Sequence, residues 1–192
     1  MMITKDSMFY RFSLYGFLKN LRFFDPFILL IFRSYGLTFL QIGILYSIRE
    51  VAANILEIPT GVVADSFGRR RAMVAAFLSY IASFLMFYFF MDMGFLSLAM
   101  VLFAFGEAFR SGTHKALILE YLNIKGINDL KVAYYGLTRS ASQFGSAVNA
   151  LIAAGLVFYT GSYRVMFLAS TVPYFLDLIN VISYPKILDG KY

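Results

Sequence analysis

Apolar residues run without a single charge across 72–91 (AMVAAFLSYIASFLMFYFFM) and again across 140–163. A helix rises ~1.5 Å per residue, so about 20 such residues cross the hydrocarbon layer of a bilayer. Four further segments are as long and mostly apolar but carry isolated charges: 12–35, 40–64, 95–122 and 163–185. A fifth, 132–160, extends the second clean stretch. The pattern predicts an all-α integral membrane protein with six transmembrane helices at roughly 12–35, 40–64, 72–91, 95–122, 132–160 and 163–185. A cytoplasmic N-terminus would occupy 1–11 and a cytoplasmic tail 186–192. The connections at 36–39, 65–71, 92–94, 123–131 and 161–162 are too short to hold a soluble catalytic domain.

Composition supports this reading. The chain is 60% hydrophobic and 15% charged, against about 45–50% and about 25% in soluble domains. It has 22 Phe and 14 Tyr but no Trp, which leaves an interfacial aromatic belt to Tyr. With no cysteine there is no disulfide, thiol nucleophile or thiolate metal site. The N-terminal sequence lacks a short apolar core ending in a cleavage site, so the first helix is expected to act as an uncleaved insertion signal. The net charge of +6 is not spread over a basic face. Lys5, Arg11, Arg69, Arg70, Arg71, Lys125, Lys131, Lys186 and Lys191 fall on one side of the predicted topology, and only Arg33 and Arg164 on the other. The positive-inside bias then places both termini in the cytoplasm of a multi-pass plasma-membrane protein. A nucleic-acid footprint has no room.

Between the second and third segments lies GVVADSFGRRRAM, in which a bilayer-bound chain turns on Asp65, Gly68 and three arginines. The arginines anchor a cytoplasmic turn. Gly61 and Gly68 allow close backbone approach or positive φ. Asp65 stands four residues before Arg69 and can pair with it or cap a helix. Gly61, Asp65, Gly68, Arg69 and Arg70 together resemble the signature loop of the major facilitator superfamily of secondary transporters. Ser66 departs from it, standing where a basic residue is usual. EIPTG at 57–61 and GEAFRSGTHKALILEYL at 106–122 are similar to the corresponding helices of that family. The helix 4 arginine pattern is not kept, since Leu102 stands four residues before Gly106, and the Gly-Pro antiporter pattern of helix 5 is missing. The resemblance covers about 12–185 and implies the N-terminal half of the fold, with two three-helix repeats. In that family Asp65, with Gly61, Gly68, Arg69 and Arg70, would latch against a helix end of the other half and favour one access state.

Ionisable groups within the membrane are expensive and tend to be paired, hydrated or functional. The first segment carries Lys19, Arg22 and Asp25, and the second Arg49, Glu50 and Glu57. The fourth carries Glu107, Arg110, His114 and Lys115, the fifth Arg139 and Gln143, the sixth only Asp177, and the third none. In the family the resemblance names, helices 1, 2, 4 and 5 line the cavity or the seam between halves. At about 100° per residue, Glu50, Asn54, Glu57 and Gly61 share one face, and Glu107, Ser111 and His114 another. Arg22 and Asp25 are spaced to pair within one helix. Ala104, Ala108, Gly112 and Ala116, and likewise Ser142, Ser146, Ala150 and Ala154, form small-residue ridges suited to close helix packing.

Asp25, Glu50, Glu57, Glu107 and His114 are the candidates for ion coupling, and Arg22, Asn54 and Arg110 for contact with the solute. Each has a plainer role open to it: His114 in a cross-helix hydrogen bond, Asp25 in a static pair, Glu50 and Glu57 in holding a seam. The small loops and single histidine offer no nucleophile–base pair, so no catalytic residue, metal or cofactor is expected. The reading is a half-transporter moving a small solute by alternating access, coupled to an ion, in practice the proton. It would need a second six-helix half: a second copy, a separate chain or a C-terminal remainder. The alternative is a non-transporting assembly protein or an inert transporter fragment.

Overall fold

The structure is a computed structural model and describes residues 5–189. The outer parts of the expected N-terminus and tail, residues 1–4 and 190–192 with Lys191, lie outside the described residues. Eight α-helices follow one another, with no strand among the described residues: α1 (Ser7–Leu18), α2 (Ile28–Ser34), α3 (Phe39–Phe67), α4 (Arg69–Phe89), α5 (Met93–Arg110), α6 (Thr113–Ile124), α7 (Lys131–Thr160) and α8 (Val165–Ile182). Five stretches are long and apolar enough to cross a membrane: α3, α4, α5 with α6, α7 with the turn before it, and α8.

Local chemistry sets the helix ends. Asp6 accepts the Phe9 amide at the start of α1. Thr38 and Gln41 form a reciprocal capping box on α3, and Asp92 accepts from Gly94 at α5. Such caps satisfy orphan amides, each by about 1 kcal/mol. Gly68 joins α3 to α4 at φ +103°, a conformation that side chains oppose.

Two expected spans are broken. The first, predicted as one helix over 12–35, stops at Leu18, passes through an irregular segment and a 3-10 turn at Asp25–Phe27, and resumes as α2. Pro26 lacks an amide proton and disfavours helical geometry at the residue before it. The fourth, predicted as 95–122, breaks at Ser111 and Gly112, where Gly112 takes φ +73°. Ser111 is consequently exposed, and the expected stripe of Glu107, Ser111 and His114 does not run along one helix.

The core is aromatic. α4 packs against α3, α5 and α8, α3 lies on α5, and α1 lies on α7 and α8. Phe84 meets Phe24 and Tyr174, both at 4.9 Å between ring centres, and Phe87 stacks on Phe167 at 5.0 Å. In lipid, where apolar burial no longer drives association, such packing and interhelical hydrogen bonds hold helices together. A close helix contact joins α1 to α7. A Cβ on Gly16 would stand 2.9 Å from the Thr138 carbonyl oxygen, and one on Gly145 2.5 Å from that of Phe17. Asn20 donates to Ser142 Oγ at 2.7 Å across the same crossing. The predicted ridge is thereby corrected: Ser142 takes part, but Ser146, Ala150 and Ala154 are exposed.

Loops separate into two ends. At one, Arg11 donates to the Ser183 carbonyl, Arg70 to those of Ile182 and Tyr184, and Tyr121 bonds Asp6. At the other, Tyr35 donates to the Phe87 carbonyl and Arg164 to those of Tyr88 and Phe89.

Candidate functional site

A charged residue of the first helix break, Arg22, reaches Glu107 and Arg110 at the end of α5, just before the second break. Unwinding after Leu18 frees backbone groups that a lipid environment cannot satisfy. α8 supplies the partners: Tyr174 donates its hydroxyl to the Lys19 carbonyl at 2.8 Å, and Ser170 Oγ accepts the Phe23 amide at 2.9 Å. With its backbone so held, Arg22 reaches across to Glu107, Nη2 to Oε1 at 2.7 Å, and donates from Nε to Tyr174 at 2.6 Å. Its guanidinium also lies 5.1 Å from the Phe103 ring centre.

Glu107 stands one turn before the break between α5 and α6. Arg110, in the last turn of α5, pairs with its other oxygen at 2.8 Å. Tyr80 of α4 donates to Glu107 Oε1 at 2.7 Å and accepts from Arg110 Nε at 3.0 Å. One carboxylate thus stands between two guanidiniums, and both carboxylate oxygens are taken. Side-chain exposures of 16% for Arg22, 19% for Arg110 and 31% for Glu107 place the cluster inside the bundle, though not sealed from water. A cavity of about 250 Å³ opens beside it, lined by Arg22, Asp25, Tyr46, Arg49 and Phe103 among others.

The structure therefore brings Arg22, Glu107 and Arg110 together. The expected Arg22–Asp25 pair does not form: the break turns Arg22 toward Glu107, and Asp25 is exposed at the cavity. Glu50 is held by its neighbour Arg49, and Asn54 donates to the Glu50 carbonyl of its own helix at 2.9 Å. Glu50, Asn54, Glu57 and Gly61 are all exposed on α3, apart from the cluster. The His114 ring stacks on Tyr15 at 3.5 Å, and its buried Nε2 has no hydrogen-bond partner among the described residues. It lines a second cavity, of about 280 Å³, between α1, α6 and α7.

The glycine–arginine loop works as a clamp within the chain. Arg69 lies 3.4 Å from Asp65 and 3.7 Å from Glu120 at the end of α6. The Arg70 amide donates to Asp189 Oδ1 at 2.7 Å. A Cβ on Gly68 would come within 3.0 Å of the Asp189 carboxyl carbon, so glycine there serves both the turn and the approach. Gly61 contacts nothing in this way.

Tyr80, Tyr174, Ser170, Glu120 and Asp189 are the partners that sequence reasoning did not single out. A usable signal existed for the first two. Tyr80 sits near the middle of a charge-free span and Tyr174 near the middle of the last, and tyrosine ordinarily belongs at the membrane interface.

Broken helices carrying ion pairs at mid-span define a class: a polytopic membrane protein with a polar, partly hydrated interior. The particular family follows from comparison. A model of the Major Facilitator Superfamily matches residues 12–186, and the chain belongs to that superfamily. It is also 33% identical over 108 residues to YxaM of Bacillus subtilis (strain 168), an uncharacterized MFS-type transporter. That stretch is 56% of this chain and spans 27% of the length of YxaM.

Proposed function

We propose that the chain forms the N-terminal six-helix half of a secondary transporter, which moves a small solute across the plasma membrane by alternating access. In this reading α1 and α2 together make the sixth span, both termini are cytoplasmic, and the cavity closes against a second six-helix half.

One observation carries the proposal. α3 exposes two stripes about 100° apart. Val51, Ile55, Ile58 and Val62 form an apolar one, and Glu50, Asn54, Glu57 and Gly61 a polar one. Lipid suits the first. An ionised group at mid-bilayer costs roughly 2.5–3.5 kcal/mol on insertion scales, so the second calls for water and a protein partner. α7 supports this with an apolar stripe of Leu137, Phe144, Leu151 and Phe158 on roughly the opposite side of the helix from exposed Arg139, Gln143 and Ser146.

Coupling is assigned to Glu107. A proton there removes the anion between Arg22 and Arg110, and frees Arg22 toward the cavity beside it. Asp25, lining that cavity, and Glu50 and Glu57 on the seam are further proton sites in this scheme, and the Asp65–Arg69 clamp biases the access state. Arg22 and Arg110 act as gating charges before they act as solute ligands.

The chain has no cysteine, so a single Asn54→Cys variant reports cleanly. In sealed vesicles, a membrane-impermeant maleimide should label it from each side in turn as the cavity alternates. Labelling from one side only, or from neither, would contradict alternating access.

A further inference from the structure

The cavity between α1, α6 and α7 differs in chemistry from the one beside Arg22. Lys19 and Arg139 line it from facing helices, joined by Asn20, His114, Thr138, Ser142, Gln143, Ser146 and Tyr135. Neither cation forms an ion pair among the described residues, and no carboxylate lines the wall. Two internal carboxylates stand near it without lining it: Glu107, already shared between Arg22 and Arg110, and Asp177 of α8, fully buried, bonded by Asn180 and close enough to act on Lys19. The buried His114 Nε2, without a hydrogen-bond partner among the described residues, adds a polar group to the same wall. Lys19, 5.7 Å from the Tyr15 ring centre, and exposed Arg139 thus bring two cations and an unsatisfied imidazole nitrogen to one cavity whose lining holds no anion, and charge within a membrane span calls for a partner of opposite sign.

Depth separates a solute from a lipid headgroup. Lys19 lies ~18 Å along α1 from Ser7, and Arg139 ~12 Å along α7 from Lys131, by helical rise. The 30 residues of α7 span ~45 Å, so a ~30 Å hydrocarbon layer centred on the helix begins ~7.5 Å along it, which leaves Arg139 ~4.5 Å inside the layer and Lys19 deeper, below headgroup level. The hydroxyl and amide groups of Ser142, Ser146, Asn20 and Gln143 complete a lining suited to a polar anion. Resting on the transporter reading above, we infer that this cavity is the solute site and that the solute is a small anion of the carboxylate or phosphate class, neutralised by Lys19 and Arg139.

Gln143 sits in the wall and is exposed, so a Gln143→Cys variant reads the local potential directly. The protein is reconstituted in phosphatidylcholine vesicles. The thiol is then treated with an anionic sulfonatoethyl methanethiosulfonate and its cationic trimethylammonium counterpart, each rate normalised to a free thiol. Two nearby cations should favour the anionic reagent by about tenfold. Adding Lys19→Gln and Arg139→Gln should abolish the preference, while Lys19→Arg should keep it. Succinate or inorganic phosphate should slow labelling; glucose and choline should not.

Reaction with both reagents without preference, or protection by choline, overturns the anion assignment and leaves the transporter reading intact. Protection by phosphatidylglycerol vesicles but not by succinate or phosphate overturns it in favour of a lipid headgroup. A thiol that reacts with neither reagent shows a cavity closed to water and overturns both readings.

Discussion

Glu107 receives hydrogen bonds from Arg22, Tyr80 and Arg110, and among the described residues no other carboxylate is as heavily engaged. Both arginines depend on it for charge compensation. Replacing it by glutamine keeps the shape and leaves two guanidiniums facing one another. Removing one partner of a buried pair strands the other, at about 3 kcal/mol or more. Glu107→Gln should therefore lower the thermal unfolding midpoint in detergent markedly, whereas Asp25→Asn, at an exposed position without an ion pair, should change it little. Equal midpoints for the two variants would contradict the central place of Glu107. Hydropathy makes the charged members of this cluster easy to find, because a charge in an apolar run stands out. Tyr80 and Tyr174 were hidden among many aromatics, and only their mid-span depth set them apart. Arg22 paired with Glu107, not with Asp25, because a helix break re-aimed it, and spacing arguments assume an unbroken helix.

At the scale of elements, hydropathy located the membrane-crossing stretches but not their internal breaks. Asp25–Pro26 and Ser111–Gly112 are turn dipeptides, and a count of apolar residues carries no trace of them. They persist because α8 satisfies the freed backbone of the first, through Tyr174 and Ser170, and because Gly112 accepts positive φ at the second. The α1–α7 crossing shows a similar limit. Small residues at every fourth position pointed to close packing; of the ridge on α7 Ser142 takes part, and the closest approaches fall on Gly16 and Gly145. Gly145→Ala places a methyl against the Phe17 carbonyl and should destabilise by about 1–3 kcal/mol. Gly155→Ala, in open space ten residues along the same helix, should be neutral or slightly stabilising. Paired unfolding curves check this, and a loss from Gly155→Ala as large as from Gly145→Ala would count against the crossing.

For the whole molecule, the best-buried spans are α4, α5 with α6, and α8, while α3 and α7 each offer a broad open side. Membership of the Major Facilitator Superfamily was legible from one loop, since Gly61, Asp65, Gly68, Arg69 and Arg70 are a spaced motif and need no tertiary information. The second half was inferred from charge that a lone bundle would leave against lipid, and the two stripes of α3 give that inference a geometry. The small-anion site of Lys19 and Arg139 was not visible beforehand, because neither residue stood in a recognised pattern. Only the folding of α7 over α1 puts them around one cavity.

One stripe of α3 is expected to meet water and protein, and its neighbour lipid. Spin labels at Glu57→Cys and Ile58→Cys, in the protein reconstituted in a lipid bilayer, test it through collision rates with a water-soluble nickel chelate and with dissolved oxygen, which partitions into lipid. The nickel chelate should dominate at position 57 and oxygen at position 58. Oxygen dominating at both would place Glu57 against lipid and leave no polar seam on α3.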